Sequence, residues 1–434
     1  MLCIHGARTI VVDRDTERAG DLLLGETVLT GAPGGPGAIE QLDASGCVVT
    51  PGLVNAHHHL LQSGFRTLPG TRGVPMGAWL PAMAAAYGAA GIDPSLLAAT
   101  ARVGIAEGLL AGVTTVADHM LNWDHGSSIA QSVEVALAVC EAAAELGGRL
   151  VFVRGSAREA PGRVAASAAA IAEALPIRQG LSADGMLQLA VGPAGVHSDE
   201  EATFRGLGEV AAQHGLRRRT QANEQVDVEI ALERHGRRPL ELLEAWGWLA
   251  PDVTIAHLVG VTEEEIARLA AAGVTGTHAP GCDVPMGWGV APVARLAAVG
   301  VPMGLGTSGG GSNDAGHLLA DARLAMQVSA LVGPQLDARD VLAMATAGGA
   351  TGLGRPELGR LLPGSAADAC VWDVSGAADA GVADPVAGLL WAAPGRRPRH
   401  VVVAGRVVVR DYRLQTAEEP RLVARLDERL ARGR

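Results

Sequence analysis

VVTPGLVNAHHHL, residues 48–60, is an apolar run that ends in three consecutive histidines. Read as a strand, its side chains alternate between two faces, so His57 and His59 point one way and His58 the other. Two imidazoles on one face can chelate a single divalent ion, which makes a metal-dependent hydrolase the first expectation.

Outward from this segment, apolar strands alternate with alanine-rich helical stretches from about residue 48 to 350. Seven more strands follow: GVTTVADH (112–119), RLVFVRGS (149–156), LQLAVGPAG (187–195), LRRRTQANE (216–224), VTIAHLVG (253–260), VTGTHAPG (274–281) and VPMGLGTSG (301–309). Between them lie amphipathic stretches such as LLAATARVGIAEGLLA (96–111) and TEEEIARLAAAG (262–273), the latter opening with a threonine cap and an acidic first turn. Eight alternating units predict a closed (β/α)8 TIM barrel rather than an open sheet.

Both ends of the chain have β character instead. TIVVD (9–13), LLLGETVLTG (22–31) and GCVVT (46–50) precede the barrel, and AADACVWDV (366–374) and RHVVVAGRVVVRD (399–411) follow it. The expected class is thus α/β, a TIM barrel with a small β-sandwich domain formed by both termini. The expected boundaries are 1–50 for the first part of the sandwich, 51–358 for the barrel, and 359–434 for the second part with a C-terminal helix.

Composition narrows the function. At 434 residues, 48% hydrophobic and 19% charged, the chain can bury a large core. A formal charge of −11 argues against a nucleic-acid partner, which would need a basic face. No apolar stretch reaches the roughly 20 residues of a membrane span, and the start lacks the features of a signal peptide. The five cysteines form no CxxC pair, so neither a disulfide framework nor a thiolate zinc site is expected, and a reducing cytoplasm is. The chain contains no lysine, which removes Schiff-base chemistry and a bridging carbamylated lysine.

Polar residues gather at the C-terminal ends of the strands: His57, His59, His119, Gln221, Glu224, His257, His278 and Ser308. Active sites of barrels form at that rim. Arg219 lies two residues before Gln221 and so shares its inward face. An inward arginine must find an anion, either an internal carboxylate, the commoner case, or an acidic group on a substrate.

PGLVNAHHHLLQ (51–62), GVTTVADH, MGWGVAPV (286–293), GLGTSGGGSNDAG (304–316) and LGRLLPGSAADACVWD (358–373) together resemble the amidohydrolase superfamily, and within it the branch of chlorotriazine hydrolases and aminopurine or pterin deaminases. The resemblance implies a mononuclear metal site, with zinc expected and ferrous iron or manganese as alternatives. It implies His57 and His59 as ligands, Glu224 as proton shuttle and His257 as the sixth-strand histidine. Two positions depart: the fifth-strand ligand position holds Gln221 and the eighth-strand aspartate position holds Ser308. The chlorotriazine branch also carries a hydroxyl residue at the latter. An amide oxygen is a weaker donor for zinc than imidazole, so Gln221 predicts lowered affinity unless another group helps.

The resemblance further implies that Gln62, Trp79, His119, His278 and Trp288 line the substrate pocket, with Arg219 added from its inward position. Asn313 and Asp314 are expected to organise the loop after the eighth strand. The expected reaction replaces an amino or similar group on a planar nitrogen heterocycle through metal-activated water, with Glu224, His257 and Ser308 as catalytic residues. A small-molecule substrate and a homodimer complete the expectation. The alternative is a repurposed fold, in which the altered Gln221 and Ser308 serve a rearrangement, elimination or cyclisation, or binding without turnover.

Overall fold

The computed structural model describes residues 1–31 and 39–432, so part of the expected N-terminal β segment, 32–38, lies outside the described residues. All eight expected strands form. They are β1 (Leu53–His59), β2 (Val113–Met120), β3 (Arg149–Ser156), β4 (Leu187–Pro193), β5 (Arg217–Ala222), β6 (Val253–His257), β7 (Thr275–His278) and β8 (Met303–Leu305, resuming at Ser308–Gly309).

Each strand pairs in parallel with its successor. Ser308 and Gly309 then pair with His58 and His59 of β1, so the order returns to its start, consistent with a closed barrel. The interruption of β8 brings it close to β1 at Gly306, where an added Cβ would lie 2.6 Å from the His57 carbonyl oxygen. Strands β1, β2 and β3 are buried along their whole length, as strands covered on both faces must be, which explains their near-continuous apolar composition.

The helices between strands are delimited by local chemistry. Asp93 caps the helix Pro94–Leu110 by accepting from Leu96 N at 2.7 Å. Ser128 and Thr262 form capping boxes with Gln131 and Glu265, the second as predicted from the sequence. Such caps satisfy backbone N–H groups that the first helical turn leaves unpaired.

The two termini share one sheet. Cys47–Pro51 runs antiparallel to Ala369–Asp373, from Cys47↔Asp373 to Pro51↔Ala369, and parallel to Leu2–Val11 at Thr9↔Val48. Hydrogen bonds link nine strands into a continuous path with one branch. The expected strand 22–31 is divided: Glu17–Leu24 ends before a turn at Gly25, whose N–H donates to the Thr27 carbonyl, and Val28–Leu29 pairs back on it.

A single residue, Gly52, separates this sheet from β1, and a Cβ there would meet the Thr114 side chain at 2.2 Å. The histidine-bearing strand is therefore held at its base by the terminal sheet. A second tie is the buried pair of Arg149 on β3 with Asp368, bidentate at 2.8 and 3.0 Å. The C-terminal helix Glu419–Ala431 turns Leu422 and Leu426 inward and contacts the helix Pro94–Leu110. Among the described residues no helix is long and apolar enough to cross a membrane, and all five cysteines are free.

Candidate active site

At the end of β1 the predicted alternation holds. The His58 ring leaves the barrel axis to meet Thr307 Oγ1 at 2.8 Å, while the His57 and His59 rings stand 4.8 Å apart edge to face. Asn55 fixes this strand end, donating to Thr307 Oγ1 at 2.7 Å and accepting from Thr307 N at 3.2 Å. His59 Nδ1 lies 2.7 Å from the His119 carbonyl oxygen, which can only accept, so Nδ1 carries the proton and Nε2 keeps its lone pair. His119 Nε2 likewise donates to the Gly192 carbonyl at 2.8 Å, leaving Nδ1 without a partner. His57 Nε2 is also buried without a partner.

Burial keeps these rings neutral. It pushes His57 well below its ordinary value, His59 to about 4, and His58 and His119 to about 3. Neutral imidazole is the form that ligates metal. Across the barrel, Gln221 presents Oε1 as a further oxygen donor, 3.2 Å from His257 Nε2. Among the described residues no three His, Cys, Asp or Glu side chains converge to hold an ion, which follows from an amide standing where a third imidazole is expected. By donor chemistry the orphaned His57 nitrogen and the free His59 nitrogen suit a divalent ion, and the Gln221 oxygen is of a type that could add to them.

The opposite wall is charged. Glu224 stands at the N-cap position of the helix Gln225–His235 without capping it, is fully buried, and has no hydrogen-bond partner on either oxygen. Burial raises its pKa. His257 Nε2 stands 3.5 Å from it, and His257 Nδ1 is 2.6 Å from Asp283 Oδ1. Burial alone would lower the His257 pKa, but the Asp283 and Glu224 carboxylates lift it to about 9. Both ring nitrogens of His257 thus face oxygen atoms, Nδ1 that of Asp283 and Nε2 that of Gln221.

Backbone strain concentrates here. Asn223, His257, Leu258 and Ser308 have φ of 59°, 75°, 56° and 55°, a region side-chain-bearing residues rarely occupy outside functional sites.

The remaining predicted residues divide. Trp288 is half-buried with its ring 5.4 Å from His257, edge to face, and His278 Nδ1 lies 3.5 Å from Asp283 Oδ2. Gln62 and Trp79 instead hold the loop after β8: Gln62 Oε1 accepts from Gly311 N at 2.9 Å, and Trp79 Nε1 donates to the Gly311 carbonyl at 3.1 Å. Asn313 and Asp314 organise the same loop, Asn313 donating to Asp321 and Asp314 accepting from Thr67 N. Ser308 Oγ is 3.4 Å from Ser312 Oγ.

Of the two partners expected for Arg219, an internal carboxylate or an acidic group on a substrate, the first is not met among the described residues. Arg219 is buried and points inward, yet its only hydrogen-bond acceptor is the Ala56 carbonyl, and Nη1 has no partner. No carboxylate pairs with it among the described residues, and burial lowers its pKa to about 9. The guanidinium spans from β5 to the base of the histidine motif and braces it through a backbone oxygen.

Sequence reasoning missed three buried groups beside the site: Asp283, His197 and Asp227. His197 Nδ1 is 3.1 Å from Asp227 Oδ1. All three sit in turns or a first helical turn, where a carboxylate reads as a cap. The one available signal was position, within a few residues of a strand end.

The model of the amidohydrolase family matches residues 48–408 of this chain. 8-Oxoguanine deaminase of Pseudomonas aeruginosa is 34% identical over 403 residues, covering 89% of this chain and 87% of that protein. 5-Methylthioadenosine/S-adenosylhomocysteine deaminase of Halobacterium salinarum is 32% identical over 422 residues, covering 94% and 90%. The crystal structure of atrazine chlorohydrolase TrzN from Arthrobacter aurescens TC1, complexed with zinc, superposes with a TM-score of 0.91 at 32% identity, covering 99% of this chain and 100% of that one.

Proposed function

The chain belongs to the amidohydrolase family, and from that premise we propose that it is a metal-dependent hydrolase that deaminates a planar nitrogen heterocycle. The observation that supports the reading is the division of the site: a buried Glu224 without a hydrogen-bond partner, 3.5 Å from His257 Nε2, and the imidazoles His57 and His59, with the His57 ring 5.2 Å from that of His257. In the reaction a ring carbon gains oxygen from water and loses its amino group as ammonia. One C–O bond forms and one C–N bond breaks.

His57, His59 and Gln221 would hold the ion, zinc in the first instance, with ferrous iron or manganese as alternatives. When bound, such an ion supplies Lewis acidity that makes water a nucleophile near neutral pH. Glu224 takes a proton from that water and delivers it to the departing nitrogen. Its burial suits the task, because a carboxyl with raised proton affinity accepts a proton more readily than an exposed one. His257, held by Asp283, donates a hydrogen bond toward the negative charge that builds on the attacked ring. Trp288 offers a flat wall, and His278 and His119 line the same cavity. Gln62 and Trp79 act on the substrate through the Gly311 loop, Ser308 is a further catalytic candidate at the end of β8, and Arg219 underlies β1.

The substrate class follows the relatives: aminopurines and pterins first, chlorotriazines second. For the architecture we propose a closed barrel over 51–358 and a β-sandwich made by 1–50 and 359–434, supported by the separate apolar core of Leu2, Ile4, Val49, Val371 and Val402. A homodimer working in the cytoplasm, with no nucleic-acid partner, completes the proposal.

The test is ammonia release by the zinc-loaded protein from 8-oxoguanine, isoxanthopterin and 5-methylthioadenosine, with chloride release from atrazine alongside. Turnover of one member, abolished by Glu224→Gln, is the expected result. The second reading, a non-hydrolytic reaction or binding alone, is favoured by the missing third imidazole. Tight binding of these heterocycles without release of ammonia or chloride would select it.

A further inference from the structure

His197, in the loop after β4, pairs with Asp227, in the first turn of the helix that follows Glu224, Nδ1 to Oδ1, at 3.1 Å. Both side chains are buried, at 8% and 1% exposure. This repeats the composition of His257 with Asp283: an imidazole whose Nδ1 is committed to a buried carboxylate, next to the same glutamate. The His197 ring enters because residue 195 is glycine; a Cβ there would stand 2.8 Å from His197 Nδ1 and 3.0 Å from the Gln221 carbonyl oxygen.

Asp227 also reaches the backbone that aims Glu224. Its Oδ2 accepts from Asn223 N at 2.9 Å, and Asn223 occupies the left-handed region at φ 59° immediately before Glu224. Asn223 is held from the other side as well, its side chain donating to Glu265 Oε2 at 3.0 Å. Losing the Asp227 contact would release a strained residue next to the proton carrier.

We propose that His197 and Asp227 form a second imidazole–carboxylate dyad, beside that of His257 and Asp283, that positions Glu224 through the backbone of Asn223. Asp227 pins the turn that precedes Glu224, and His197 pins Asp227. The proposal rests on the reading of Glu224 as the proton carrier. Burial is the largest influence on Glu224, and the charges of His257 and then His197 are the strongest that oppose it. A purely structural pair would cap the helix Gln225–His235 and be indifferent to the charge on Glu224.

The experiment is a long-range proton–nitrogen spectrum of the histidine rings in the full-length, zinc-loaded protein, with His197 assigned by the signals lost in His197→Asn. Glu224→Gln, which keeps the shape and removes the charge, is expected to move the His197 ring nitrogens. Unmoved signals would overturn the dyad. In parallel, Asp227→Asn is expected to lower kcat at least about tenfold while KM stays within about threefold and zinc content is unchanged, with part of the loss restored by Asp227→Glu. An unchanged kcat in a folded Asp227→Asn protein would also overturn it. If the wild type releases no ammonia or chloride from any substrate tested, the functional reading fails, and the ring spectra still decide the dyad.

Discussion

The two walls of the site solve opposite problems. At the ends of β1 and β2, His57, His59 and His119 are buried without a carboxylate partner, and burial lowers the pKa of all three. Beyond β4 and β6, His197 and His257 are each backed by an aspartate from the segments after β5 and β7, and their pKa values are raised. One wall therefore offers lone pairs and the other offers protons. The difference comes from what stands behind each ring: backbone carbonyls behind His59 and His119, carboxylates behind His257 and His197. A metal needs the first arrangement and proton transfer needs the second.

Removing the centre of the charged wall should have the largest effect. Glu224→Gln keeps the volume and deletes the proton carrier, and kcat is expected to fall by about 10²–10⁴ while zinc per chain is unchanged. A variant that keeps activity would remove Glu224 from that role.

Next comes the support of His257. Asp283→Asn removes the charge that holds the His257 ring, and kcat is expected to drop by roughly ten- to a hundredfold with little change in zinc content. If zinc is lost instead, the two walls are not separable in the way described.

The comparison can also be sharpened by gain. Gln221→His would place a third imidazole where the amide now stands, and zinc affinity measured by competition with a chelator is expected to rise at least about tenfold, or ~1.4 kcal/mol. Unchanged affinity would mean that position 221 does not face the ion.

The smallest effect is on stability. Asp118 precedes His119 on β2 and accepts from Leu60 N at 2.8 Å, and burial raises its pKa to about 7. Its folded value lies above its unfolded one, so the native state favours the protonated form. Stability from this group is fully present below about pH 4, declines as pH rises toward 7, and stays constant above. Asp118→Asn should flatten that slope, seen as a smaller fall in melting temperature between pH 5 and pH 8, on the order of 2 °C. An unaltered slope would assign it to other groups.

The neutral wall was legible in the sequence and the charged wall only in part. HxH on a strand announces itself by the two-residue period of that strand, and the eight alternating units place it at a barrel rim. The Thr262 capping box was legible for the same reason, because its partners are three residues apart. Glu224 and His257 came from resemblance. Asp283 and Asp227 did not emerge, because each acts on a ring from another segment, 26 and 30 residues away, with no periodicity to mark it. Arg219 was placed on the correct face, but its acceptor is a backbone carbonyl, which no side-chain pattern reveals. The split of the strand expected over 22–31 has a local cause, the tight Gly25–Thr27 turn within an otherwise apolar run.

The central claim is that two neutral imidazoles and an amide suffice to hold a catalytic ion beside a separate proton-handling wall. Metal per chain, measured by elemental mass spectrometry on full-length wild type and Glu224→Gln purified without chelator, tests it most directly. The account predicts close to one zinc, iron or manganese per chain in both proteins. A protein that carries no metal and takes up none when zinc is added would contradict it.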